Sequence, residues 1–189
     1  MKKIADKKHV GVRSLDAMVI AISTSNDTLE PENGYGNSIT LYRYADNAFI
    51  GTKSWQLDFA AKDYITIALG RNFMYVTNPH RYMIYVYALD SDDDKTYRKI
   101  TIGSNTIEDY PCAAATDESD NLLMCILKTN QLEIMTPEGF AVTLPINEDV
   151  KELRDAVIVG GNVFAIGGED GNNAYLYMLS ITKLQENRE

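Results

Sequence analysis

Histidine, cysteine, tryptophan and proline are scarce in this chain of 189 residues, which has two His, two Cys, one Trp and five Pro. The histidines, His9 and His80, are distant in sequence from each other and from both cysteines. That removes metal-spaced Cys/His sets and Cys–His nucleophile signatures, and neither a glycine-rich phosphate loop nor a nucleophile elbow occurs. No apolar run approaches the ~20 residues of a membrane helix, which argues against a membrane partner. The basic start Met1–Lys8 lacks the apolar stretch of a secretory signal, so the expected location is the cytoplasm or the interior of a larger particle. Basic residues are also in deficit, 18 against 27 acidic ones, for a net charge of −9. A surface of that sign repels phosphate backbones, and beyond the first thirteen residues no basic stripe is interleaved with aromatics, which argues against a nucleic-acid partner.

The few cysteines are informative by position. If Thr116–Asn121 forms a turn, Cys112 and Cys125 oppose each other on neighbouring strands. Without an export signal they are expected to be reduced, buried thiols.

What the chain has in abundance is repetition. An aspartate followed by a small or aromatic residue and a short apolar run occurs at Asp16, Asp63, Asp109 and Asp155, spaced by 47, 46 and 46 residues. About twenty residues after each comes an alternating strand: Leu41–Tyr44, Ile84–Tyr87, Leu132–Met135 and Leu176–Leu179. Outer strands follow at Lys53–Leu57, Arg98–Ile102 and Ala141–Pro145. A period in this range, filled with short strands, predicts the blades of a β-propeller. The fourth repeat lacks an outer strand of its own. Lys8–Val12 is expected to supply it and to close the ring, removing an open edge. The expected architecture is therefore a single all-β domain spanning 1–189, a four-bladed β-propeller with repeats at about 16–62, 63–108, 109–154 and 155–181.

Two groups of residues are candidates for function. The four repeated aspartates, at the start of the expected innermost strands, would form a ring near the channel mouth. There they would accept local backbone N–H bonds or hold a channel cation, since like charges placed together need neutralising. The polar segment Ser23–Asn37, with Pro31, Gly34 and Gly36, predicts a long exposed loop, and Asn33, Tyr35 and Asn37 are its candidate partner-binding residues.

The fourfold pattern of an Asp-led apolar strand, a turn, an aromatic-bearing strand and a Tyr-bearing third strand resembles the four-bladed propeller of hemopexin-like domains. The pairs Gly160-Gly161 and Gly167-Gly168 make the last repeat similar to kelch repeats. The resemblance implies a propeller architecture with a channel ion, and not haem or collagen binding. With no recognisable catalytic set and no cofactor motif, the leading expectation is a non-enzymatic binding or assembly module. It would contact a protein partner, form part of a larger complex such as a virion, or oligomerise. The alternatives are a lectin-like glycan binder and a hydrolase using an Asp/Glu pair.

Overall fold

The computed structural model describes residues 8–16, 19–25, 37–45, 48–56, 66–78, 83–91, 97–101, 111–127, 129–144, 146, 152–159, 162–169 and 173–180. These residues form fifteen strands in four antiparallel sheets. The first sheet holds β1 (Lys8–Asp16), β2 (Val19–Ser25), β3 (Asn37–Ala45) and β4 (Ala48–Gln56). The second holds β5 (Thr66–Leu69), β6 (Phe73–Asn78), β7 (Met83–Ala88) and β8 (Tyr97–Thr101). In the third are β9 (Pro111–Thr116), β10 (Leu122–Ile126), β11 (Gln131–Met135) and β12 (Ala141–Leu144). The fourth has β13 (Leu153–Val159), β14 (Asn162–Glu169) and β15 (Asn173–Ser180).

Each sheet is a simple meander in chain order, and the first strand of each lies against the first strand of the next, β1 on β5, β5 on β9 and β9 on β13. That succession is propeller-like. The expected third strands Leu41–Tyr44, Ile84–Tyr87, Leu132–Met135 and Leu176–Leu179 fall within β3, β7, β11 and β15.

Ring closure by the N-terminal strand is corrected. β1 pairs with β2, from Lys8↔Ser25 to Asp16↔Val19, and among the described residues no pairing joins the first sheet to the fourth. The fourth sheet has three strands, and the four sheets form an open arc. A hairpin to β2 places β1 beside the strand that follows it in sequence, a far shorter closure than the reach to β15. The constant repeat length is not seen either, because the sheets begin at residues 8, 66, 111 and 153.

The core consists of three seams between consecutive sheets. Ile39 and Trp55 of the first sheet pack on Ile67, Leu69, Met74, Val76, Tyr85 and Tyr87 of the second. The other face of the second sheet, with Ala68, Tyr75, Ile84 and Val86, meets Ala113, Leu122, Met124, Ile126 and Met135 of the third. The third sheet then turns Cys112, Ala114, Leu123, Cys125 and Leu132 onto Leu153, Ala156, Val163 and Ala165 of the fourth. A strand buried on both faces needs a continuous apolar run rather than alternation, and Phe73-Met74-Tyr75-Val76 and Leu122-Leu123-Met124-Cys125-Ile126 supply such runs.

Candidate functional site

Three hydrogen bonds and one electrostatic contact show how the innermost strands align. Near the starts of β5 and β9, Thr66 Oγ1 and Thr77 Oγ1 lie 2.5 Å apart, and Ala113 N–H donates to Thr77 Oγ1 at 3.2 Å. At their far ends, Thr116 Oγ1 donates to Leu69 O at 2.9 Å. β5 and β9 therefore run side by side, start to start. Asp155, the third residue of β13, acts electrostatically on Cys112, the second residue of β9, so β13 continues the same order. At this end Leu153 N–H also donates to Asn130 Oδ1 at 2.7 Å. Asn130 lies in the turn between β10 and β11 with a φ of 57°, a left-handed conformation that Asn adopts more readily than most residues.

The start ends of the innermost strands, together with the end of β6, thus make one polar end of the array, termed the mouth, with Thr66, Thr77, Asn78 and Asp155. Thr77 and Asn78 are fully buried. Their burial was missed in the sequence, where the only signal was a polar pair closing an otherwise apolar strand. Asp155 is half-buried, and its Oδ1 accepts a hydrogen bond from Ala156 N–H at 2.9 Å.

Of the four repeated aspartates, Asp63 and Asp109 lie outside the described residues. Asp16 ends β1, whereas Asp155 lies near the start of β13. Among the described residues no three His, Cys, Asp or Glu side chains converge as a cation site. In the proposed partner-binding loop, Asn33 and Tyr35 are outside the described residues, and Asn37 opens β3 opposite Ser25.

Cys112 and Cys125 are direct cross-strand partners, both buried and not joined in a disulfide. A register shift in β9 between the Ala115 and Ala113 pairings is a bulge that re-aims the strand without disturbing this pair. Burial, and secondarily the Asp155 charge, push the Cys112 thiol up to about 11. An unfolded thiol ionises near 8.5, so the folded pKa lies above the unfolded one. The contribution to stability is then complete below about pH 8.5 and lost as pH rises towards 11. Tyr75 is raised as well, first by burial and then by Asp120, and adds the same sign at higher pH. Urea midpoints should fall between about pH 8.5 and 11, with a slope of up to about 1.4 kcal/mol per pH unit from one group. Cys112→Ala should flatten the first part of that fall, and an unchanged slope in the variant would refute this origin.

At the opposite end of the strands a buried carboxylate joins two sheets. Asp120 is 3% exposed and sits in the turn between β9 and β10 with a φ of 62°. Its carboxylate accepts from Arg71 N–H, from Asn72 N–H at 3.1 Å and from Asn72 Nδ2 at 2.7 Å, all in the turn between β5 and β6. Tyr75 Oη–H donates to the main-chain oxygen of Asp120 at 2.5 Å. Asp117 serves its own turn instead, with Oδ1 accepting from Ser119 and Asn121 N–H. The segment Asp117–Asn121 therefore does more than the local turn chemistry that its composition implies.

No family model matches the chain, and no curated protein matches it. Solved structures do. A virginiamycin B lyase from Staphylococcus aureus is similar at a TM-score of 0.56 and 15% identity, covering 91% of this chain and 56% of its own. A gluconolactonase from Xanthomonas campestris gives a TM-score of 0.58 at 14% identity, covering 93% and 59% respectively. A luciferin-regenerating enzyme gives 0.59 at 14%, covering 89% and 60%. This chain thus spans little more than half the length of each. At such identities it is the fold that is shared, and a β-propeller-like architecture is the part of the sequence resemblance that these matches support. The hemopexin-like and kelch-like relations gain nothing from them. The expectation of a non-enzymatic binding or assembly module is overturned by the same finding, because several solved structures of similar fold, these three among them, are enzymes.

Proposed function

We propose that the chain is a propeller-type enzyme that hydrolyses a lactone or related ester, with its reaction site at the polar mouth and Asp155 as the acid–base residue. The observation that supports this reading most is the arc of sheets shared with several enzymes, among them a gluconolactonase and a virginiamycin B lyase. The chemistry available here agrees with it. Neither cysteine is suited to be a nucleophile, since both are buried and Cys112 is held in its neutral form. Carboxylate acid–base chemistry is a route the described residues offer, since Asp155 is a half-buried carboxylate on an innermost strand.

In this mechanism the Asp155 carboxylate takes a proton from water as the water oxygen bonds to the ester carbonyl carbon. The bond from that carbon to the ring oxygen then breaks. Asp155 returns the proton to the departing alkoxide, leaving a hydroxy acid and an unchanged enzyme.

The test is hydrolysis of a panel of aldonolactones and lactone-closed peptides, followed by proton release. Asp155→Asn should lower turnover by about 10²–10⁴-fold with little change in melting temperature. Wild-type rates no faster than the uncatalysed reaction across the panel, or full activity in Asp155→Asn, would overturn the assignment.

A further inference from the structure

Three of the four sheets end in an outer fourth strand, whereas the fourth sheet ends at β15. Among the described residues no strand pairs with the outer edge of β15. A free edge presents a row of main-chain N–H and C=O groups to any other strand, and charge, bulges or shortness normally blunt it. The other outer strands show those devices. β4 has Lys53 and a register shift against β3, β8 exposes Arg98 and Lys99, and β12 is four residues long. β15 has none of them. Its eight residues, Asn173–Ser180, include no charge, proline or glycine in a chain with 27 acidic and 18 basic residues. It pairs with β14 from Asn162↔Ser180 to Glu169↔Asn173 without a register shift.

The same edge leaves apolar surface bare. Ile166 of β14 and Leu176 of β15 are cross-strand partners, yet Ile166, with a strand on either side, is 45% exposed and Leu176 is 68% exposed. Met178, on the same face as Leu176, is 69% exposed, while its partner Phe164 is half-buried. The difference is the flank that a further strand covers. The order of residues in β15 says which strand fits. Laid antiparallel on its own copy about Tyr177, it sets Leu176 opposite Met178, Tyr175 opposite Leu179 and Ala174 opposite Ser180, with Tyr177 opposite itself. Apolar and aromatic pairs of this kind stabilise a sheet. Moving the centre by one residue in either direction sets Met178 against Ala174 or Leu176 against Ser180. Two chains of net charge −9 thereby meet where neither places a charge.

We infer that two copies of this chain associate edge to edge through antiparallel β15 strands, about a dyad that passes perpendicular to the sheet at Tyr177. The two three-stranded sheets become one sheet of six strands, with main-chain hydrogen bonds across the join. The contact is isologous, because the same edge serves both copies, and it closes at two chains. A dyad in this direction keeps Leu176 and Met178 of both copies on one face.

The test is sedimentation of the 189-residue chain over a wide concentration range, with a species of twice the chain mass expected. The double variant Leu176→Lys, Met178→Lys sets lysine against lysine across the dyad and should sediment as a monomer with an unchanged far-UV spectrum. Val157→Lys, on the same face but two strands in from the edge, should leave the dimer intact, which separates edge pairing from a stacking of the two exposed faces. Cross-linking reads the register. A mixture of Leu176→Cys and Met178→Cys should form a disulfide-linked pair on mild oxidation. Either variant alone should not, since its two cysteines lie diagonally, roughly 7–8 Å apart. Monomers at every concentration, a dimer that survives the double lysine substitution, its loss in Val157→Lys, or a single variant that cross-links as well as the mixture would each overturn edge pairing about Tyr177.

Discussion

Gly70→Ala destabilises the protein by about 3 kcal/mol or more, and does so through Asp120: this is the expected result, combining an overpacked site with disrupted charge-assisted hydrogen bonds. A Cβ placed on Gly70 collides with Asp120 Oδ1 and meets Phe73 O at 3.0 Å. The collision is not relieved by a flexible side chain, because the carboxylate is held by Arg71 N–H, Asn72 N–H and Asn72 Nδ2. Removing the carboxylate in Asp120→Ala leaves those donors without their acceptor and places alanine at a φ of 62°, a combined cost of about 2–4 kcal/mol. Asp120→Asn keeps the backbone preference and one acceptor, but its NH₂ must face an N–H donor, so it rescues little. The decisive measurement is a double-mutant cycle on urea midpoints. With Asp120 already truncated, Gly70→Ala should cost less by about 1–3 kcal/mol. Strict additivity would mean that the glycine is needed for some other reason.

Truncating Trp55 to alanine is expected to cost about 3–5 kcal/mol. The residue is 1% exposed and fills the seam between the first and second sheets, edge-on to Tyr87 at 6.3 Å between ring centres. Lys53 lies over its ring at 5.0 Å and reaches across the seam to donate to Leu89 O at 3.3 Å and to Ser91 O. The indole Nε1 is buried with no hydrogen-bond partner among the described residues, so part of what tryptophan gains by packing is offset by an unmet donor. Trp55→Phe removes that donor along with some volume. It should therefore cost clearly less than the lost area alone implies, at about 25 cal/mol per Å². Equilibrium denaturation separates these outcomes, and a phenylalanine variant as unstable as alanine would refute the unmet-donor account. Because this is the chain's single tryptophan, its fluorescence in the wild type reports the opening of this one seam.

How much of this could be read beforehand depends on where the partners of each residue lie in sequence. The third strands and the outer strands were legible, because Ile84-Tyr85-Val86-Tyr87 and Leu132-Glu133-Ile134-Met135 carry their own periodicity. The opposition of Cys112 and Cys125 was legible because one hairpin turn sets it. The place of Lys8–Val12 was not, since the same few residues can pair equally well with β2 or with a distant edge, and only the nearness of β2 in sequence decides. That hairpin also explains the misreading of Asp16. It ends a strand and precedes the next apolar run, so in sequence it looks like the aspartates that stand before innermost strands. Asp120 was hidden for a different reason. Its partners are 48 and 49 residues away, and Asp117 in the same turn is chemically identical but serves only local groups. The mouth residues Thr77 and Asn78 gave no signal beyond their polarity.

The three separate seams bear on how such a chain can change over descent. Among the described residues each interior sheet divides its side chains between two neighbours, and no packed cluster spans three sheets. Stability in such an array is a sum over nearest neighbours rather than a property of one centre. Gain or loss of a whole sheet therefore rewrites a single junction and leaves the others as they were. A slip of one residue within a strand does the reverse, exchanging the residues meant for one neighbour with those meant for the other. Lineages built on this plan are free to vary in arc length while the register inside every sheet stays under strict constraint.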